Sequence, residues 1–188
     1  IRWYKRRQKF PLTYLIFSWM VMMSDQQPAV LPEDLDNALR KMPAPVAVIG
    51  ASSQGTLGGL TAAWVTRVSL DPPLLLVSVG HERFTWGLMN DSDQFTVSLP
   101  SVEQVPVARL FGLKSRRDVD KWSEVDHVLL GDGVPALEHC TARFLCRKTD
   151  VFTTGDHDCF VGQVIAAEII DQQPALPMRG ADYAPVRD

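Results

Sequence analysis

Between Leu60 and Leu70 the sequence alternates in character, LTAAWVTRVSL, then meets Asp71-Pro72-Pro73 and continues as the apolar run LLLVSV. That order is restrictive. A period of two makes the first segment a strand with two different faces. The Asp-Pro-Pro step extends neither a helix nor a ladder, and Leu74 to Val79 reads as a second strand. On the first strand Leu60, Ala62, Trp64, Val68 and Leu70 fall on one face, and Thr61, Ala63, Arg67 and Ser69 on the other. A small, polar face suits a flat aromatic cofactor, because it lets the ligand reach backbone N–H and C=O groups. It equally suits the solvated side of a half-buried strand.

The texture recurs from Val46 onward. Further candidate strands are Val46 to Ser52, Phe95 to Leu99, Thr141 to Thr149 and Cys159 to Ile170, each rich in Val, Ile, Leu or Thr and bounded by turn residues. Two helical segments interrupt them, Phe84 to Asn90 and Val102 to Phe111, the second weakened by Pro106. No regular alternation of strands and long helices is present, so a barrel or sandwich is favoured over a doubly wound parallel sheet. The glycine-rich stretch SSQGTLGG, Ser52 to Gly59, is followed by strand-like sequence rather than by the helix a phosphate-cradling loop requires. It reads as a hairpin turn.

Residues 1–22 are of another kind. IRWYKRRQKF is strongly basic, and Phe10 to Met23 is almost wholly apolar. The pattern imitates a targeting segment but has no small-residue cleavage site, and the run is too short to span a bilayer. The expectation is a non-native upstream or disordered leader, with the natural start at Met22 or Met23. Residues 23–45 then form a polar leader and a short helix with Leu35, Ala38, Leu39 and Met42 on one face, and residues 46–188 the single folded domain.

A 188-residue chain with 46% hydrophobic residues can bury one good core. Its net charge of -3 argues against nucleic acid as a partner. Cys140, Cys146 and Cys159 contain no CxxC pair, and Cys140 and Cys146 on one strand would lie about 20 Å apart, far beyond disulfide reach. Free, buried thiols in a reducing cytoplasm are expected. His81, His127 and His139 have no metal-ligand spacing, so no metal site is expected.

The run T-A-A-W-V-T-x-V-S-L-D-P-P-L-L-L-V-S-V from Thr61 resembles the signature of the flavin reductase-like, FMN-binding split-barrel family. Three more segments resemble that family in the same order: HERFTWGLMNDSDQFTVSL, GLKSRRDVDKW and GDHDCFVGQV. Together they cover Val46 to Val164. The resemblance implies a six-stranded, Greek-key split β-barrel with a few short helices. It also implies a cytoplasmic homodimer that binds FMN, with FAD as the alternative, and takes hydride from NADH or NADPH. Electrons would pass to free flavin, a ferric complex or a monooxygenase partner. The other reading is an FMN-binding electron carrier with no nicotinamide site of its own.

By the same resemblance, Thr61, Ala62, Ala63, Trp64 and Val65 would line the flavin ring, with Thr66 and Ser69 as polar contacts. Arg83 and Thr85 would meet the phosphate, Thr85 also capping the helix that follows, and Lys121 would reach the flavin or its phosphate. His157 would be the catalytic residue, bonding the nicotinamide or moving a proton, and Tyr183 would pack near the cofactor. The sequence departs from the family at Ala63, where Ser is common, and at Arg67, where a small residue is usual.

Overall fold

The computed structural model describes residues 33–179. The leader 1–22, the polar segment up to residue 32 and Tyr183 lie outside the described residues. The described chain falls into two units, one ending at Lys41 and the other starting at Met42. In the first, helix α1 spans Glu33–Leu39. Leu35 and Leu39 are exposed, so the expected helix is present without its apolar face being buried.

The second unit is built on one seven-stranded antiparallel sheet. Its strands are β1 (Ala47–Ser53), β2 (Thr56–Ala62), β3 (Val65–Ser69), β4 (Leu74–Gly80), β5 (Gln94–Leu99), β8 (Ala142–Thr154) and β9 (His157–Ile169), in the order β2-β1-β5-β8-β9-β4-β3. The two ends of that order, β2 and β3, are consecutive in the chain, separated only by Ala63 and Trp64. They are halves of the single strand expected over Leu60 to Leu70. One half pairs with β1 and the other with β4, which bends the sheet round into a split barrel. The strand count is seven rather than six for that reason.

The break also corrects the two-face reading. Leu60 and Ala62 are buried as expected, but Trp64, Val68 and Leu70 are exposed. Past the kink, β3 is flanked on one side only, and its former inward set faces solvent.

Inside the barrel pack Ile49, Leu60, Val77, Val79, Phe95, Val97 and Phe160, and helix α2 (Phe84–Asp91) adds Leu88 and Met89. Outside β1, Val48 meets Phe111 of helix α3 (Val105–Leu113) and Trp122 of the 3-10 turn Lys121–Glu124. The helix expected from Val102 starts at Val105 with Pro106 in its first turn, where a missing N–H costs nothing. A second hairpin, β6 (His127–Leu130) and β7 (Val134–Leu137), was not expected. The β1–β2 turn is the hairpin read from the sequence, with positive φ at Gln54 and Gly55 as a two-residue turn of type I′ requires. The three cysteines are free and buried; burial pushes the Cys140 thiol up to about 11 and the Cys146 thiol to about 12. Among the described residues no group of His, Cys, Asp or Glu could hold a metal ion, and no helix is long and apolar enough to cross a membrane.

Candidate functional site

Two cavities lie end to end on the barrel. The first, about 260 Å³, is bounded by the start of α2 and the loop after α3; the second, about 180 Å³, follows the β2–β3 junction. Leu60, Arg83 and Phe111 line both. The two therefore adjoin, and together they make up the groove.

The first end is cationic. Arg83, Lys114, Arg116, Arg117 and Lys121 face it, against a single carboxylate, Glu82. Helix α2 begins at this end, so its unpaired backbone N–H groups add to the positive potential. Arg83 is its cap residue and makes no side-chain capping bond. Thr85 was expected as the cap; it is instead the second helical residue, 2% exposed, at the floor of the cavity. Arg116 donates from Nε to the Leu57 carbonyl at 3.1 Å and pairs with Asp120 at 3.4 Å. Arg117 lies over the Phe84 ring, 6.0 Å from its centroid.

Lys121 is 3% exposed. Its Nζ donates to the carbonyls of Phe111 (3.1 Å) and Lys114 (3.0 Å) at the end of α3, and it sits 5.3 Å from the Phe111 ring centroid. Burial, reinforced by Arg83 and Arg116, brings its amino group down to about 8. An ammonium has three donors, and the two carbonyls use two.

The other end is bounded by the β2–β3 junction. Leu60 to Trp64 run along it, facing Ser78, Val79 and Gly80, with His157 at the rim. The Thr61 hydroxyl donates to the Ala108 carbonyl of α3 at 2.7 Å, so its proton is already committed within the fold. His157 Nδ1 lies 2.7 Å from Asp156 Oδ1, and its ring packs on Trp64 with centroids 4.7 Å apart. That hydrogen bond holds the Asp156 carboxyl below the usual range.

The structure thus brings Thr61, Ala62, Ala63, Trp64, Arg83, Thr85, Lys121 and His157 to one groove. It does not bring Val65, Thr66 or Ser69 there. Val65 packs against the core, Thr66 is exposed opposite Leu76, and the Ser69 carbonyl accepts from Arg67 Nε at 3.3 Å. These three lie past the kink, where the strand leaves the groove.

Two features escaped the sequence reading. One is the run Lys114 to Arg117, whose basic density was visible but had no partner until the fold set it beside α2. The other is His81, whose Nε2 lies 3.0 Å from Asp158 Oδ1 while Trp86 Nε1 donates to Asp158 Oδ2 at 2.8 Å. Bonds from His81, Trp86 and Thr153 hold the Asp158 carboxyl low and tie β9 to the start of α2. No local motif signals a pair 77 residues apart.

Residues 39–185 match the flavin reductase like domain. The chain belongs to this family. A curated relative of this flavin reductase-like protein is the NADH:riboflavin 5′-phosphate oxidoreductase of Streptomyces pristinaespiralis, 32% identical over 80% of this chain and 84% of that protein. Another is the reductase component of the FADH(2)-dependent resorcinol hydroxylase of Rhizobium sp. strain MTP-10005, 28% identical over 86% of this chain and 90% of that protein. Among solved structures, the NADH:FAD oxidoreductase of Streptomyces globisporus C-1027 superposes with a TM-score of 0.72 at 29% identity, covering 81% of this chain and 94% of that one. The chain spans 62% of the length of a relative from Archaeoglobus fulgidus.

Proposed function

We propose that this protein is an NADH-dependent flavin reductase that binds FMN in the groove and passes its electrons to a second acceptor. The observation that carries this reading is adjacency. A pocket with five cationic side chains and a helix start adjoins one lined by the residues of the β2–β3 junction. A ribityl-linked ring and phosphate need that combination, a dianion held by fixed donors and a planar heterocycle against exposed amides. FAD carries the same ring, and NADPH the same hydride.

The bound flavin supplies the hydride chemistry. Arg83, Thr85, Lys121 and the first amides of α2 would hold the phosphate. Ala62, Ala63 and Trp64 would set the ring against the β2–β3 backbone. Asp156 accepts from Nδ1–H of His157, which leaves Nε2 able to take or deliver a proton at the rim. The resorcinol hydroxylase reductase supports a monooxygenase as acceptor, with free flavin and ferric complexes as the others. A homodimer is part of this proposal, because Trp64, Val68, Leu70 and Ile165 would otherwise stay in water.

Anaerobic stopped-flow mixing of the FMN-loaded protein with NADH, and separately with NADPH, tests the assignment. Flavin absorbance should bleach with NADH. His157→Ala should slow bleaching about tenfold or more while FMN stays bound, as expected for loss of a positioned acid–base group. No bleaching with either nucleotide in the unmodified protein would leave an FMN-binding electron carrier instead.

A further inference from the structure

We propose that Asp158 is a positioning residue for flavin reduction: it clamps the start of α2 to β9 and so fixes where His157 stands relative to the phosphate end of the groove. The inference rests on the flavin reading of the groove and on the role given there to His157. It adds a residue that lines neither cavity.

His157 and Asp158 are neighbours at the start of β9, and strand alternation sends their side chains to opposite sides. His157 lines the groove. Asp158 stands opposite the buried Val79 of β4 and is itself 7% exposed. A carboxylate in that place needs partners, and three segments supply them. His81, in the loop after β4, has Nε2 at 3.0 Å from Oδ1; Trp86, in α2, donates from Nε1 to Oδ2 at 2.8 Å; and the Thr153 side chain bonds from β8. An ionised carboxylate only accepts, so His81 presents Nε2–H. The His81 ring also meets Trp86 edge-on, with centroids 5.5 Å apart.

What the cluster joins gives it a use beyond packing. The β4–β9 ladder ends at Gly80 opposite His157. Past that pair the chain turns through His81 and Glu82 to Arg83 and Thr85, which line the phosphate end, and Trp86 follows them in α2. One buried carboxylate therefore fastens the helix that carries phosphate anchors to the strand that carries the acid–base group. On the other side of His157, the His81 N–H donates to the Asp156 carbonyl at 3.1 Å, so His157 lies between two points of attachment. A flavin held at its phosphate meets His157 correctly only if this spacing is kept, and a misplacement of about 1 Å can cost on the order of 100-fold in rate.

Variants of the full chain test this. Asp158→Ala removes the clamp. Asp158→Asn keeps it, because the amide oxygen accepts from Trp86 and the amide nitrogen donates to His81 once that ring carries its proton on Nδ1. With FMN bound and NADH saturating, Asp158→Ala should slow flavin bleaching about fivefold or more. FMN affinity, read by fluorescence quenching, should change little, because Arg83 and Thr85 keep their places on one helix. Asp158→Asn should restore the rate to within about twofold of wild type. Added to His157→Ala, Asp158→Ala should slow bleaching by less than about twofold further, because a residue that acts through His157 then has nothing to place. In the flavin-free protein, the His81 amide should exchange its hydrogen faster in Asp158→Ala and at the wild-type rate in Asp158→Asn. Trp86→Phe, which deletes one donor and keeps a ring, should give the same pattern more weakly if Asp158→Ala fails to fold.

Three results overturn it. The first is that the losses multiply in the double variant, which would make Asp158 a support of the fold at large. The second is that Asp158→Asn bleaches as slowly as Asp158→Ala, which would put charge in control instead of position. The third is that His157→Ala bleaches at the wild-type rate, which would leave the clamp no group to place. If the unmodified protein does not bleach with NADH, the underlying flavin reading fails instead. That result is distinct from all three, and the His81 amide still reports whether Asp158 holds the two segments together.

Discussion

Lys121 shows how a single side chain can be costly to the fold and useful to the ligand. Its amino group is buried against two carbonyls and an aromatic ring, and Arg83 and Arg116 repel its charge. The folded protein therefore holds the proton less tightly than the unfolded chain does, about 8 against 10.5. Below both values each state is charged and the fold bears the full cost, at most about 3 kcal/mol. Between them the unfolded chain binds more protons, so this group makes stability rise with pH. Urea titrations of the flavin-free protein from pH 7.5 to 10 should show that rise relative to Lys121→Met, which removes it. Flavin affinity should move the opposite way. A phosphate favours the charged amine, so binding weakens above pH 8 in the wild type and is weaker but flatter in Lys121→Met. Isothermal titration at several pH values checks both slopes.

Glycine positions make the corresponding case for the elements. At Gly50 in β1, an added Cβ would stand 1.9 Å from the Pro135 carbonyl of β7 and 2.5 Å from Thr96 Oγ1. Backbone cannot give way there, so Gly50→Ala should cost about 3 kcal/mol, the upper end for overpacking. Gly87 is inside α2 with nothing within 4 Å of an added Cβ; Gly87→Ala should gain about 1 kcal/mol from helix propensity. Chemical denaturation of the two variants reads opposite signs from one substitution type.

The same contrast explains what could be read from the sequence. Strands β1, β4 and β5, the β1–β2 hairpin and helix α2 carried local signals, and the structure places each within a few residues of its expected position. The kink at Ala63–Trp64 carried none, since the alternation runs straight through it. It arises because β2 must pair with β1 while β3 pairs with β4. The β6–β7 hairpin was hidden by Pro135, which argues against a strand, although Gly131 and Gly133 both take positive φ around its turn. The groove was legible only in part. Thr61 to Trp64, Arg83, Thr85, Lys121 and His157 were named through resemblance, whereas the roles of Arg116, Asp156 and Asp158 depend on neighbours that folding supplies.

At the level of the whole molecule, the barrel leaves an apolar surface that a lone copy has no use for. Val68 and Leu70 lie at the β3 side of the β3–β4 turn, and Ile165 follows Val164, whose N–H bonds to the Pro73 carbonyl in that turn. Trp64, at the groove rim, is 61% exposed. If this face meets a second copy, dimerisation covers it and brings that copy beside the ring end of the groove, so assembly and flavin binding become linked. Sedimentation equilibrium should then give a dimer whose dissociation constant falls when FMN is added. Ile165→Asp, remote from the groove lining, should produce monomers and weaken FMN about tenfold through that linkage. A monomeric variant with unchanged FMN affinity would separate the two events and confine the flavin site to one copy of the chain.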